Sequence, residues 1–153
     1  GRVVQFGPTA ALYRRPRTLE AARAFSDPPL NELPLDRRGA TVTTPLGQGP
    51  VPAALRALPD GAYRLGFRAD AVLPGLPPPG GLGFDGTVSV TEINGSESFV
   101  HVQTPAGSWV CLIPGVHGLL PGEPVAMHVD LARAFVFDAA GALAATPEMA
   151  EAV

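Results

Sequence analysis

From about Pro34 onward, short apolar stretches with alternating polar positions are separated by glycine and proline. That is the pattern of a small antiparallel β-domain. It predicts strands over 40–44, 62–68, 87–93, 98–103, 109–113, 124–130, 134–138 and 142–145. Strands this short favour a barrel, because closure removes edges that would otherwise pair with other chains. The first 33 residues read differently. An apolar run, Val3 to Phe6, is closed by Gly7-Pro8 and predicts a strand. Ala10 to Tyr13, ended by Pro16, and Thr18 to Phe25, with a threonine cap and an early Glu20, predict two short helices. Asp27-Pro28-Pro29 stops the second, since a residue before proline is pushed out of the α region.

One strand and two short helices cannot bury a core. The leader is therefore expected to pack on the β-domain, on a second copy, or on a part of a longer protein that the sequence does not contain. Pairing of Val3–Phe6 between chains would make a version beginning at Leu35 associate more weakly.

Two segments of the β-region resist the strand pattern. Val51 to Leu58 has helical composition over only two turns, which predicts a marginal helix. Leu73 to Gly83, rich in proline and glycine, predicts an exposed loop that splits the domain. Asn94-Gly95 marks a hairpin. A loop of Asn94-Gly95 alone would oppose Glu92 to Glu97 and Val88 to His101. A loop of Asn94-Gly95-Ser96 with a bulge sets Val90 opposite Val100 and Val88 opposite Val102, and is the preferred register. Val125, Met127 and Val129 should share one face of their strand, and Phe135 and Phe137 one face of theirs.

Composition adds limits. The chain has 153 residues, 46% of them hydrophobic, enough for one domain with an appendage. Eighteen glycines and eighteen prolines argue for many turns, although a GC-rich genome would also favour these residues and the use of arginine without lysine. A net charge of −3 supplies no broad cationic surface, so neither nucleic acid nor an anionic membrane is an expected partner. Arg14, Arg15 and Arg17 read as a solvated helix end. Cys111, the single cysteine, lies in the apolar run 109–113 and reads as a buried core thiol. No apolar run approaches the ~18 residues that would span a bilayer, and a cytosolic location is expected.

Residues that could carry chemistry are few. Gly81 to Gly86 satisfies G-x-G-x-x-G, but a proline run precedes it and a strand pattern follows, so the helix N-terminus that a dinucleotide needs is missing. Without lysine there is no phosphate loop of the G-x-x-x-x-G-K-[ST] type. Asn94-Gly95-Ser96 fits a glycosylation acceptor, but a hairpin turn explains it better. His101, His117 and His128 show no metal-ligand spacing among themselves or with Cys111. Glu92 with Glu97, or Arg68 with Asp70, could form polar clusters, with structural ion pairing the plainer reading. No catalytic, cofactor-binding or metal-binding residue is assigned.

The leader nevertheless resembles a known segment. G-R-V-V-Q-F-G-P-T, L-Y-R-R-P, A-R-A-F and P-P-L-N are similar to the end of the nucleotide-binding domain in ABC-transporter ATPase subunits of the importer class that takes up maltose or glycerol-3-phosphate. Gly1, Gln5, Gly7, Leu12, Tyr13, Pro16, Ala24, Phe25, Pro29 and Asn31 match, whereas Pro8-Thr9 reverses the usual order. Tyr63 to Asp70 resembles the L-G-I/V-R-P-E motif of the transport-associated OB domain, TOBE, with Arg68 matching, Ala69 for proline and Asp70 for glutamate. Gly86 to Glu92 with Gly95 resembles its G-x-V-x-x-x-E-x-x-G pattern. Pro121 to Val125, and Phe135 to Asp138 with Gly141, resemble later family positions.

What the resemblance implies is a mainly β chain: residues 1–34 as the remnant of the ATPase domain and 35–153 as an OB-like TOBE barrel. Its expected role is non-catalytic, as the regulatory and dimerisation part of an importer subunit for a sugar or sugar phosphate. ATP and Mg would belong to the parent subunit, whose ATP-site motifs lie upstream. Implied partners are a second copy and, through the ATPase domain, the membrane subunits at the inner face of the cell membrane, with no membrane insertion. Arg68, Asp70, Glu92 and Gly95 would then be structural or regulatory positions. The alternative is a small-ligand sensor for an oxyanion or sugar, with Ser96 or Arg68 as anion contacts and an exposed Trp109 as a sugar platform. Oligonucleotide binding fits poorly, since it needs basic grooves and exposed stacking aromatics.

Overall fold

The computed structural model describes residues 15–79, 81–115 and 118–145. The expected strand at Val3–Phe6, the helix at Ala10–Tyr13, Arg14 and His117 lie outside these residues. The second leader helix is present as α1, Leu19–Ala24. Its start follows from Thr18, whose hydroxyl accepts the Ala21 N–H at 3.1 Å. The flanking backbone is tied down as well: Leu19 N–H donates to Gly141 O at 2.8 Å and Leu143 N–H to Arg17 O at 2.9 Å.

The described residues are otherwise mainly β. One antiparallel sheet has six strands in the order β11-β10-β4-β1-β2-β3 and the other five, ordered β5-β9-β6-β7-β8. In chain order these are β1 (Asn31–Arg38), β2 (Thr41–Thr44), β3 (Gly47–Pro50), β4 (Gly61–Phe67), β5 (Val72–Pro74), β6 (Leu82–Asn94), β7 (Glu97–Thr104), β8 (Gly107–Pro114), β9 (Pro124–Val129), β10 (Phe135–Asp138) and β11 (Leu143–Ala145). All eight expected strands are found, with boundaries moved by a few residues. The sheets curl into an OB-like half-barrel, and β5 with the 3-10 turn Ala69–Ala71 packs along β8 instead of pairing with it.

Alternation places the core between the sheets. Leu33, Leu65, Phe67, Val88, Val100, Val102, Met127, Val129 and Val136 are buried there. Trp109 stands at the centre, edge-on to Phe67 and Phe84 with ring centroids 5.0 and 4.9 Å away. Cys111 is fully buried, and burial pushes its thiol pKa up to about 12. Phe135 and Phe137 do share a face, but that face points out of the barrel core. With Leu30 and Ala22 of α1 they form a second, smaller apolar cluster. Gly66 permits this packing, since a Cβ there would lie 3.0 Å from both Leu30 Cδ2 and Phe137 Cε2.

Four expectations change. β1 is an unanticipated strand and spans the 34/35 position at which the domain boundary was expected. β2 pairs only with Asp36 to Arg38, so Pro34 has a neighbouring strand on one side only and its missing N–H interrupts no second ladder. Residues 51–58 hold only a 3-10 turn, Ala53–Leu55. The 73–83 segment is not all loop: it holds the end of β5 and the start of β6, while Leu76 between them is 84% exposed.

The hairpin register is the fourth. Asn94 pairs with Glu97, leaving a two-residue turn of Gly95-Ser96 in which Gly95 adopts φ +64°. Thr91 faces Val100 and Val90 faces His101, and the register shifts at Ser89 so that Val88 meets Val102 as expected. The bulge thus lies inside β6 and not at the turn. Its consequence is a change of face, since Val88 is buried and Val90 is 44% exposed.

Candidate functional site

The residues singled out from sequence do not converge. Arg68 stacks its guanidinium over Phe135, 5.0 Å from the ring centroid. Asp70 pairs instead with Arg133, whose Nη2 lies 2.8 Å from Asp70 Oδ2 while Nη1 donates to the Asp70 carbonyl at 2.9 Å. Glu92 lies 3.3 Å from His101 Nε2, and Glu97 sits across from Asn94, so neither a Glu92–Glu97 nor an Arg68–Asp70 cluster forms. Gly95 shapes the turn. Ser96 is exposed beside it, its carbonyl accepting the Gly115 N–H at 2.6 Å. Trp109 corrects an expectation outright: it is 2% exposed and offers no face for a sugar. His128 Nδ1 meets the Gly75 carbonyl at 3.1 Å, and among the described residues no group of three or more histidine, cysteine or acidic side chains could hold a metal.

Two concavities stand out among the described residues. A depression of about 880 Å³ lies where α1 meets the outer face of β1, β2 and β4 and the β10–β11 turn. Its cations are Arg23 and Arg64, and Glu20, Asp36 and Asp138 also line it. Both arginines are engaged by Glu32: Arg23 Nε and Nη2 each donate at 2.7 Å, and Arg64 Nη1 lies 3.5 Å away. The hydrogen bonds to Glu32 raise the Arg23 pKa above its ordinary value. A smaller pocket of about 220 Å³ opens beneath the β2–β3 hairpin, lined by Leu33, Val42, Leu46, Leu65 and Leu131 with backbone of Gly47 to Gly49. The first is acidic and self-neutralised and the second is apolar, so neither presents the spare cations an oxyanion would need.

Sequence reasoning missed the junction at the start of β1. The buried Asn31 side chain accepts the Val110 N–H and donates to the Val110 carbonyl, both at 2.8 Å, like one rung of an added strand. The next residue accepts the Trp109 indole N–H on its carbonyl at 3.2 Å. The two sheets are thus bound through residues 31 and 32 to β8, an edge strand.

Residues 65–137, from the middle of β4 to β10, match the family model described as TOBE domain. The chain carries a TOBE domain. Its curated relatives include an sn-glycerol-3-phosphate import ATP-binding protein, UgpC 3, from Agrobacterium fabrum, 33% identical over 92% of this chain and 40% of the relative. Another UgpC 3, from Rhizobium johnstonii, is 32% identical over 81% of this chain and 32% of its own length. UgpC of Chromohalobacter salexigens is 31% identical over 93% and 39%. The chain therefore spans 40% or less of these relatives. Among solved structures, the molybdate-bound crystal structure of the cytoplasmic molybdate-binding protein ModG superposes with a TM-score of 0.51 at 16% identity, over 69% of this chain and 94% of that one. That likeness is one of fold. No helix among the described residues is long and apolar enough to cross a membrane.

Proposed function

We propose that this chain is the regulatory and dimerisation part of an ABC-importer ATP-binding subunit, itself non-catalytic, serving uptake of a sugar phosphate such as sn-glycerol-3-phosphate. The observation that carries the reading is the similarity to glycerol-3-phosphate import ATP-binding proteins over 92% of the chain, extending beyond the TOBE domain. In this reading residues 1–34 are the end of the ATPase domain and 35–153 the regulatory domain, with β1 crossing between them. ATP and Mg are held by the parent subunit, which works at the inner face of the membrane with membrane-embedded subunits. The geometry agrees: the ionisable side chains of the described site residues are occupied in structural pairs, and α1 is held on the TOBE domain as a short, externally docked element.

The test is calorimetric titration of this chain with MgATP. No binding heat is expected, and an affinity in the micromolar range would contradict the assignment.

A second reading, a small-ligand sensor of the same transporter class, is favoured by the fold shared with ModG. Thermal unfolding in the presence of molybdate, sulfate, sugars and sugar phosphates separates the two. A true ligand at 100 times its dissociation constant adds about 2.7 kcal/mol, whereas the regulatory reading alone expects no shift.

A further inference from the structure

Residues 31 and 32 hold three elements at once. The Asn31 amide engages Val110 N–H and C=O on β8, the Glu32 carbonyl accepts the Trp109 indole N–H, and the Glu32 carboxylate receives two hydrogen bonds from Arg23 of α1. α1 has six residues, too few for independent stability, so its position is set by what it docks on. Its apolar side rests on Phe135 and Phe137, and its charged side is held by Glu32. A shift of α1 therefore pulls on Glu32, which is covalently joined to the residue that caps β8.

We infer that Asn31 and Glu32 form a coupling joint, through which the seating of α1 controls the β8 edge at Val110 and the packing of Trp109. With α1 seated, the outward N–H and C=O of Val110 are occupied. When α1 lifts, Glu32 loses Arg23 and keeps only the 3.5 Å contact with Arg64, the hold on the Asn31 side chain loosens while its backbone stays paired with Phe67 of β4, and the edge opens. Those two backbone groups are the ones an added strand would need. If the regulatory reading holds, α1 is where movement of the ATP-binding part would arrive. The coupling is a property of this chain and can fail without that reading failing.

The test is residue-resolved amide hydrogen exchange with Trp109 emission, the only tryptophan in the chain, as a second readout. Arg23→Gln removes the bidentate contact and leaves α1 otherwise intact. Arg38→Gln, whose partner is Asp36, makes the same charge change away from the joint. Arg23→Gln should accelerate exchange at Val110 by about two- to fivefold, the range over which a partly exposed ion pair shifts a local opening. It should also alter Trp109 emission, with Val100 and Val129 amides unchanged. Asn31→Ala should accelerate Val110 further and mark the ceiling. The inference is overturned if Val110 exchanges alike in Arg23→Gln and Arg38→Gln. It is equally overturned if Val100 and Val129 accelerate by the same factor as Val110.

Discussion

Replacing Asn31 by alanine tests whether one side chain binds the two sheets together. The wild-type amide makes two buried hydrogen bonds of 2.8 Å to Val110, and Asn31 is 2% exposed. Truncation leaves a buried N–H and a buried C=O without partners, each costing about 1–3 kcal/mol, with water entry at the β8 edge reducing the sum. A loss of about 3 kcal/mol is expected. With a guanidinium m-value of about 3 kcal/mol/M, the unfolding midpoint should fall by about 1 M at unchanged m. Asn31→Asp is the shape-matched companion. Its carboxylate still accepts the Val110 N–H but cannot donate to the Val110 carbonyl, so burial and the facing carbonyl should raise its pKa in the folded state. Protonation restores the donor, and the deficit relative to wild type should shrink as pH falls through that raised pKa and grow as pH rises. Equilibrium denaturation followed by Trp109 emission measures both. An alanine variant within about 0.5 kcal/mol of wild type, the range of an ordinary surface change, would refute the reasoning.

Three further outcomes follow from the packing. Gly66→Ala should cost about 1–3 kcal/mol by forcing Leu30 and Phe137 apart, while Gly49→Ala, with open space around it, should stay near wild type; chemical denaturation of the pair decides. Cys111 ionises near 9.0 when unfolded but only at about 12 when folded, so the unfolded state loses its proton first. Stability should therefore fall as pH rises from 9 towards 12, by up to about 4 kcal/mol, and be unaffected by this group below pH 9; a Cys111→Ala variant should lack that alkaline limb. Trp109→Ala should cost about 3–5 kcal/mol, and native Trp109 emission should resist acrylamide quenching. Quenching as fast as free tryptophan would contradict its burial.

What the sequence revealed was whatever depends on local alternation. The strands over 98–103 and 124–130, the Thr18 cap and the buried Cys111 each follow from short-range pattern and were legible. β1 is invisible to periodicity because Pro34 and four charged residues interrupt it, and it becomes a strand only because Leu33 and Leu35 find the core. The hairpin register was misplaced because pairing valines looked like the stronger constraint. The fold instead turns Val90 outward through a bulge at Ser89, where Thr91 donates to the Leu119 carbonyl at 2.9 Å. Trp109 illustrates the same limit: an aromatic in a strand reads alike whether it faces a ligand or a core. The Asn31 contact spans 79 residues of sequence and leaves no local signal. Arg68 and Asp70, two positions apart, point to different partners for the same reason.

The central proposal, a regulatory part that brings two subunits together, is tested most directly by sedimentation equilibrium of this chain across a wide concentration range. A reversible monomer–dimer equilibrium above the 15.8 kDa monomer mass is expected. A single species at the monomer mass at every concentration would contradict it.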